Sequence, residues 1–204
     1  SDVCSSDLGR EGLKIGEEVW ARREELLNNS MYRKYAPGVK SQMQIVPGIY
    51  YKGPYTAHLL GYVLSELYQV DNQFDKSEAI LKEISPDFLT PMALLEIDFL
   101  QKRYQKVIDA TDNPSLGSNE DVAKQMYRAM AFREIGQPDE AILLLSEIIK
   151  LRSVDKSLNY RSRYERGLAY AKAGQSKKAL ADFHFVLAKE GEYLDITEQI
   201  KKLE

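Results

Sequence analysis

The sequence predicts an all-α protein in which antiparallel helix pairs stack on one another as a solenoid. Three observations lead there. A helix–turn–helix unit is written twice in the second half: Ala129-x-x-Phe132, Gly136-Gln137 and Ala141-x-x-x-Leu145, then Gly167-x-x-Tyr170, Gly174-Gln175 and Ala179-x-x-x-Phe183. Recurrence of one such unit at a nearly fixed period marks a repeat architecture, because each unit needs its neighbours to bury its apolar face. Fainter copies precede these. One is Ser65-x-x-Tyr68, Phe74, Ser77-x-x-x-Leu81 and Ile84; the other is Leu95, Tyr104 and Val107-x-x-x-Thr111. Their markers at 77, 107, 141 and 179 stand 30, 34 and 38 residues apart. Finally, 44% hydrophobic and 29% charged residues is the balance of a folded chain, enough to cover helices on one face and solvate the other.

Taken in order, the chain begins with Ser1–Leu8, which reads codon by codon as one frame of a common short-read sequencing adapter, TCA GAC GTG TGC TCT TCC GAT CT. This leader is expected to be non-native, in a metagenomic or draft-assembly fragment of bacterial origin whose own N-terminus is missing. Cys4, the only cysteine, goes with it, so no thiol chemistry is expected of the rest. Without Asp2 and Asp7 the formal net charge moves from −3 to −1. Residues 10–29 predict an opening helix, with Leu13, Val19, Trp20, Leu26 and Leu27 at helical spacing and Asn28-Asn29-Ser30 ending it. Pro37-Gly38, Pro47-Gly48 and Gly53-Pro54 break the next stretch into an ordered loop, with room for a short hairpin turning at Pro47-Gly48.

From residue 55 helices dominate. Asp75 with Glu78, and Ser118 with Asp121, are spaced as capping boxes. Thr90-Pro91 places a cap before a first-turn proline, and Ser176 is positioned to cap a later helix. Asp195-x-x-Glu198 with Ile200 and Leu203 opens a final amphipathic helix carrying Lys201 and Lys202 at its C-terminal end. The expected division is a leader at 1–8, a helix and Pro/Gly-punctuated loop at 9–54, about four repeats at 55–190, and a capping helix at 191–204.

The residues of the repeat resemble the tetratricopeptide family, whose signature is a small residue three before an aromatic, a turn, then Ala and an aromatic four apart. In the last copy Gly167, Tyr170, Gly174, Ala179 and Phe183 fall in place, while Arg163, Arg166 and Gly191 stand where the family prefers Trp, Leu and Pro. The resemblance covers roughly residues 55–190 and implies a right-handed superhelix of antiparallel helix pairs. It also implies a role in protein–protein interaction. Family positions facing the concave groove correspond to Tyr62, Met92, Met126 and Tyr164, and one turn later to Glu66, Glu96, Met130 and Leu168, flanked by Arg133 and Arg161. A Tyr- and Met-lined groove suits an apolar or amphipathic segment; packing against the neighbouring repeat is the competing reading. Met126 and Met130 stand where carboxylate-gripping members carry Lys and Asn, so capture of a C-terminal carboxylate is not implied.

Signals for chemistry are sparse. His58 and His184 are the only histidines and lie in no metal-ligand spacing, and neither phosphate-binding glycine loops nor a nucleophile elbow occur. Glu17, Glu18, Glu24 and Glu25 interleave with Arg22 and Arg23 as a solvated helix face. No catalytic residue, cofactor or metal is expected. The near-neutral charge disfavours nucleic acid as a partner, and no apolar run is long enough to span a membrane. Arg161, Arg163 and Arg166 with Tyr160 and Tyr164 form either an acidic-peptide site or a solvated face. The tyrosines at 50, 51 and 55 either contact a ligand or seal the first repeat. The function expected is a non-catalytic scaffold or adaptor binding a peptide or partner domain. The alternative is an accessory domain of a larger enzyme or an envelope assembly lipoprotein. The choice between cytoplasm and envelope rests with whatever precedes Gly9.

Overall fold

Helix pairs closed by one recurrent turn make up most of the chain. The computed structural model describes residues 2–84, 86–113 and 115–204, with side chains from Gly9 onward. Four turns share one hydrogen-bond pattern. Gln175 N–H donates to the Tyr170 carbonyl at 2.8 Å and Gly174 N–H to Ala171 at 3.0 Å. The same pair recurs as Gln137 to Phe132 and Gly136 to Arg133, as Arg103 to Asp98 and Lys102 to Phe99, and as Gln73 to Tyr68 and Asn72 to Gln69. This is the Schellman closure, which satisfies the last carbonyls of a helix and demands a left-handed residue at the junction. Gly136 and Gly174 supply it at φ 87° and 72°, but Lys102 and Asn72 adopt it at 60° and 59°. The upstream copies are therefore faint in sequence because their turns lack glycine, not because the turns differ.

The chain forms two compact units. The first comprises residues 1–46 and 50–97. It holds α1 (Asp2–Ala21), α2 (Arg23–Asn28), α3 (Ser30–Tyr35), a 3-10 turn (Ala36–Gly38), strands β1 (Ser41–Val46) and β2 (Ile49–Gly53), α4 (Ala57–Val70), α5 (Phe74–Ile84) and α6 (Thr90–Leu100). Ile49 and the last residues of α6 fall in the second unit. The expected opening helix is interrupted at Arg22, after which α2 runs on; Leu13 and Trp20 are buried while Val19, Leu26 and Leu27 are half-buried. Trp20 and Ile84 meet over Gly61, where a Cβ would lie 2.6 Å from Ile84 Cγ2 and 3.3 Å from the indole. Ser65 and Ser77 face each other across α4 and α5 at 2.7 Å, and Ser77 also donates to the Ser65 carbonyl, so two buried hydroxyls satisfy one another.

The Pro/Gly-punctuated stretch, read as an ordered loop with room for a hairpin, holds that hairpin: β1 pairs with β2 in a two-stranded ribbon and the chain turns at Pro47-Gly48. Alternation supplies the pattern: Ser41, Met43 and Ile45 share the more buried face while Gln42 and Gln44 face solvent, and Val46, beside the turn, is buried as well. Tyr51 places its ring 6.3 Å from that of Tyr62 and donates to the Pro54 carbonyl, while Tyr55 is exposed.

The second unit comprises residues 47–49 and 98–204. Its helices are α7 (Tyr104–Ala110), α8 (Asn119–Glu134), α9 (Pro138–Lys150), α10 (Lys156–Lys172), α11 (Ser176–Glu190) and α12 (Ile196–Leu203). Ala129, Ala141 and Ala179 are fully buried, as small residues must be where helices approach closely. At Gly167 a Cβ would stand 2.4 Å from the Phe183 ring, so the glycine is what admits the aromatic. Phe132 and Tyr170 do not fill the core as Phe183 does. They are half-buried under the guanidiniums of Arg128 and Arg166, at 5.2 and 5.6 Å. The final helix behaves as expected: Ile196 and Ile200 close over Phe183, Val186, Ala179 and Tyr164. Gly191, where the family prefers proline, ends α11 at φ 70°.

Caps follow the sequence in part. Ser118 accepts from Asp121 N–H at 3.1 Å as expected. Three others shift. Asp75 lies inside α5, which already begins at Phe74. Thr90 N–H is itself capped by the Asp87 carboxylate, which also takes Leu89 N–H. Ser176 is the first residue of α11, and the cap position belongs to Gln175, which makes no side-chain cap bond. The Schellman closure explains the last: it fixes the backbone of Gln175, and the next helix starts at once.

Candidate functional site

The residues assigned to a groove divide between the two units. In the first, Tyr62 on α4 and Met92 on α6 are buried, at 2% and 1% exposure. The Tyr62 hydroxyl donates to Asp87 at 2.7 Å and lies 3.1 Å from Thr90 Oγ1. Desolvation, with Asp87 beside it, pushes the Tyr62 phenol well above its ordinary range. Glu66, one turn along α4, is exposed, and partial desolvation raises its carboxyl above the usual range. Glu96 is half-buried on α6.

In the second unit Met126 and Met130 lie at 0% and 4% exposure on α8, and Tyr164 at 6% on α10. Leu168 and Arg161 remain partly exposed. Tyr164 donates to Asp195 at 2.5 Å and packs edge-on against Tyr193, 5.9 Å away. The hydrogen bond from Tyr164 holds the Asp195 carboxyl below the usual carboxylate range. Six of the ten residues, Arg133 among them, thus pack inside the units, and Glu66, Glu96, Arg161 and Leu168 are the accessible remainder.

The charged flank is more specific than its sequence suggested. Glu165 on α10, only 1% exposed, accepts from Arg133 of α8 and from Arg161 one turn earlier at 2.7 Å. Arg133 also donates to Glu134 at 2.8 Å. Against the desolvation that burial imposes, these carboxylates hold both guanidiniums above their ordinary pKa. A buried charge persists only when paired and hydrogen-bonded, and here two arginines share one acid. The neighbouring arginines are engaged in the same way. Arg166 forms a fork with Asp182 at 2.7 and 2.8 Å, and Arg163 stacks over Phe185 at 3.9 Å. Arg161, Arg163 and Arg166 are thus neither a purely solvated face nor an open acidic-ligand site, because each is already engaged by a carboxylate or a ring. Glu165 was absent from the sequence-derived set. Its signal was the Arg161–Glu165 spacing of four, which alone reads as an ordinary surface pair.

Elsewhere in this unit a cleft of about 300 Å³ is lined by Thr111, Gln125, Arg128, Phe132, Glu140 and Leu143. Arg128 is tied within it to the Ile108 carbonyl and to Asp112. Among the described residues no group of three or more His, Cys, Asp or Glu is placed to hold a metal ion. No described helix is long and apolar enough to cross a membrane.

The comparison with solved structures supplies the remaining observation. The N-terminal domain of the EccA1 ATPase from the ESX-1 secretion system of Mycobacterium tuberculosis superposes with a TM-score of 0.76, covering 94% of this chain and 72% of that one. The fold is tetratricopeptide-like. Identity is 13%, so the likeness is one of fold. No family model matches the chain, and no curated protein matches it.

Proposed function

We propose that the chain is a non-catalytic interaction module, a scaffold or adaptor that binds a peptide or partner domain on the first helices of its repeats. The observation that supports this reading is the array itself: helix pairs closed by one turn geometry, a repeat architecture whose general use is the presentation of extended binding surface. The accessible candidate positions, Glu66 and Glu96 in one unit and Arg161 and Leu168 in the other, are where a partner would touch. Tyr62, Met92, Met126, Met130, Arg133 and Tyr164 would shape the surface from beneath. A protein partner, without nucleic acid or cofactor, suits this set.

A second reading is favoured by the structural likeness. A domain of this fold stands at the N-terminal end of an ATPase in a secretion system, which is a precedent for an accessory domain of a larger enzyme. Site-specific photocrosslinking tests the first reading. A crosslinker at Leu168 or Glu66 is expected to capture one defined partner from the source organism, and one at the exposed Leu143 is not. Competition of the Leu168 adduct by excess wild-type chain, and not by chain carrying Leu168→Asp, would confirm a direct contact. Equal yields at all three positions would overturn the proposal.

A further inference from the structure

Between Glu25 and Glu66 the chain carries no acid. Residues 26–65 hold four cations, Arg33, Lys34, Lys40 and Lys52, and no Asp or Glu, which leaves 24 Lys and Arg against 31 Asp and Glu in the rest of the chain. A protein of net charge −3 thus concentrates positive charge in one segment.

The fold gathers these cations within the first unit. Lys40 directly precedes β1 and Lys52 is the penultimate residue of β2, so both stand at the open end of the ribbon, where Ser41 Oγ donates to the Gly53 carbonyl at 3.3 Å. The 3-10 turn joins α3, with Arg33 and Lys34, to that same end. The Tyr32 hydroxyl fastens it there by donating to the Tyr55 carbonyl, just beyond β2. All four cations are exposed, and among the described residues none of them is ion-paired. The bordering carboxylate of Glu25 is taken by Arg22, at 2.8 and 3.0 Å.

Apolar groups stand in water among the charges. Met31 and Tyr35, one helical turn apart on α3, are 63% and 57% exposed, and Val39 and Tyr55 are 49% and 44% exposed. Lys34 lies 5.1 Å over the Tyr35 ring, so cation and aromatic are presented together. A cluster of hydrophobic side chains left in water marks an interaction surface. Unpaired cations interleaved with tyrosines and aliphatic side chains fit an anionic bilayer: lipid phosphates draw the cations, and the interface takes the rings and the aliphatic groups. A nucleic acid would use the cations and the rings but leave Met31 and Val39 without a role, since neither offers a face on which a base can stack.

We propose that α3 and the open end of the ribbon form a peripheral docking surface for an anionic lipid bilayer. None of its residues belongs to the groove set, so it stands apart from the interaction-module reading.

Flotation of the full chain with phosphatidylcholine vesicles, with and without phosphatidylserine, measures the partition. Retention is expected on the anionic vesicles alone and should fall as added salt screens the charges. Each of Lys34→Gln, Lys40→Gln and Lys52→Gln should weaken it by about fivefold, the factor for one basic residue at an anionic surface. Val39→Trp should show blue-shifted emission on those vesicles, whereas Val70→Trp, at the far end of α4 and 71% exposed, should not. Wild-type partition itself needs no variant to fold. Equal retention on neutral and anionic vesicles, no retention on anionic ones, equal emission shifts at positions 39 and 70, or glutamine variants that bind like wild type would each overturn the proposal. Displacement from the vesicles by a single-stranded oligothymidine would overturn it in favour of nucleic acid.

Discussion

Gly167→Ala is the substitution on which intrinsic propensity and tertiary packing disagree in sign. Gly167 lies inside α10, where alanine is favoured over glycine by about 1 kcal/mol. The added methyl, however, would stand 2.4, 2.8 and 2.9 Å from three atoms of the Phe183 ring. Comfortable carbon–carbon separation is about 3.5–4.0 Å, so the ring must retreat by roughly 1 Å. It has little room to do so, being fully buried among Tyr164, Ala179, Val186, Ile196 and Ile200. Overpacking a well-filled core costs about 1–3 kcal/mol. At the upper half of that range it outweighs the propensity gain and leaves a net loss of about 1–2 kcal/mol.

Urea denaturation followed by far-ultraviolet circular dichroism measures this. Fluorescence of Trp20, the only tryptophan, reports the first unit separately. Phe183→Leu should relieve the clash, so the double mutant Gly167→Ala/Phe183→Leu should be more stable than the sum of the single changes by about 1 kcal/mol or more. A stabilised Gly167→Ala, with additive behaviour in the cycle, would refute the packing assignment.

Further expectations rest on other contacts. Glu165→Ala should cost about 3–5 kcal/mol in a urea or thermal melt, because it removes the acid that Arg161 and the buried Arg133 share, whereas replacing Arg133, Glu165 and Arg161 together by methionine should be nearly neutral. Lys102→Gly should stabilise by roughly 0.5–1 kcal/mol in a urea titration, since an exposed lysine holds the left-handed conformation there; Gly136→Ala and Gly174→Ala should destabilise by about the same amount. Burial and the bond to Glu17 push the Tyr68 phenol up to about 12, and Tyr62 and Tyr164 are raised as well. A raised folded pKa gives stability that is complete below the unfolded value of about 10 and disappears as pH rises through the folded one, so stability should fall across about pH 10–12. Burial raises Tyr32 and Tyr104 too, so five of the thirteen tyrosines should ionise late in the tyrosinate absorbance; a single ordinary transition would contradict this burial.

The repeat was legible because its determinants are local. Gly136, Gly174, Ala141 and Ala179 are residue types that a left-handed turn or a close helix approach requires wherever it occurs, so the chain displays them at repeat spacing. The amphipathic final helix was readable for the same reason. Asn72 and Lys102 hid two further turns, since the Schellman hydrogen bonds can hold a non-glycine residue in the left-handed region and leave no glycine to read. The candidate site was less legible. Helical spacing puts Tyr62, Met92, Met126, Met130 and Tyr164 on equivalent faces, but whether a face is open or covered depends on chain distant in sequence.

By itself, then, the sequence determined the all-α class, the period of its helix pairs and the glycines that close the last two turns, all set by interactions within a few residues. Tertiary structure alone decided that Glu165 is shared by Arg133 and Arg161 and that Phe183 is admitted by Gly167. Each joins residues many positions apart, and burial changes the energy of a charge, a ring or a methyl far more than its neighbours in sequence can.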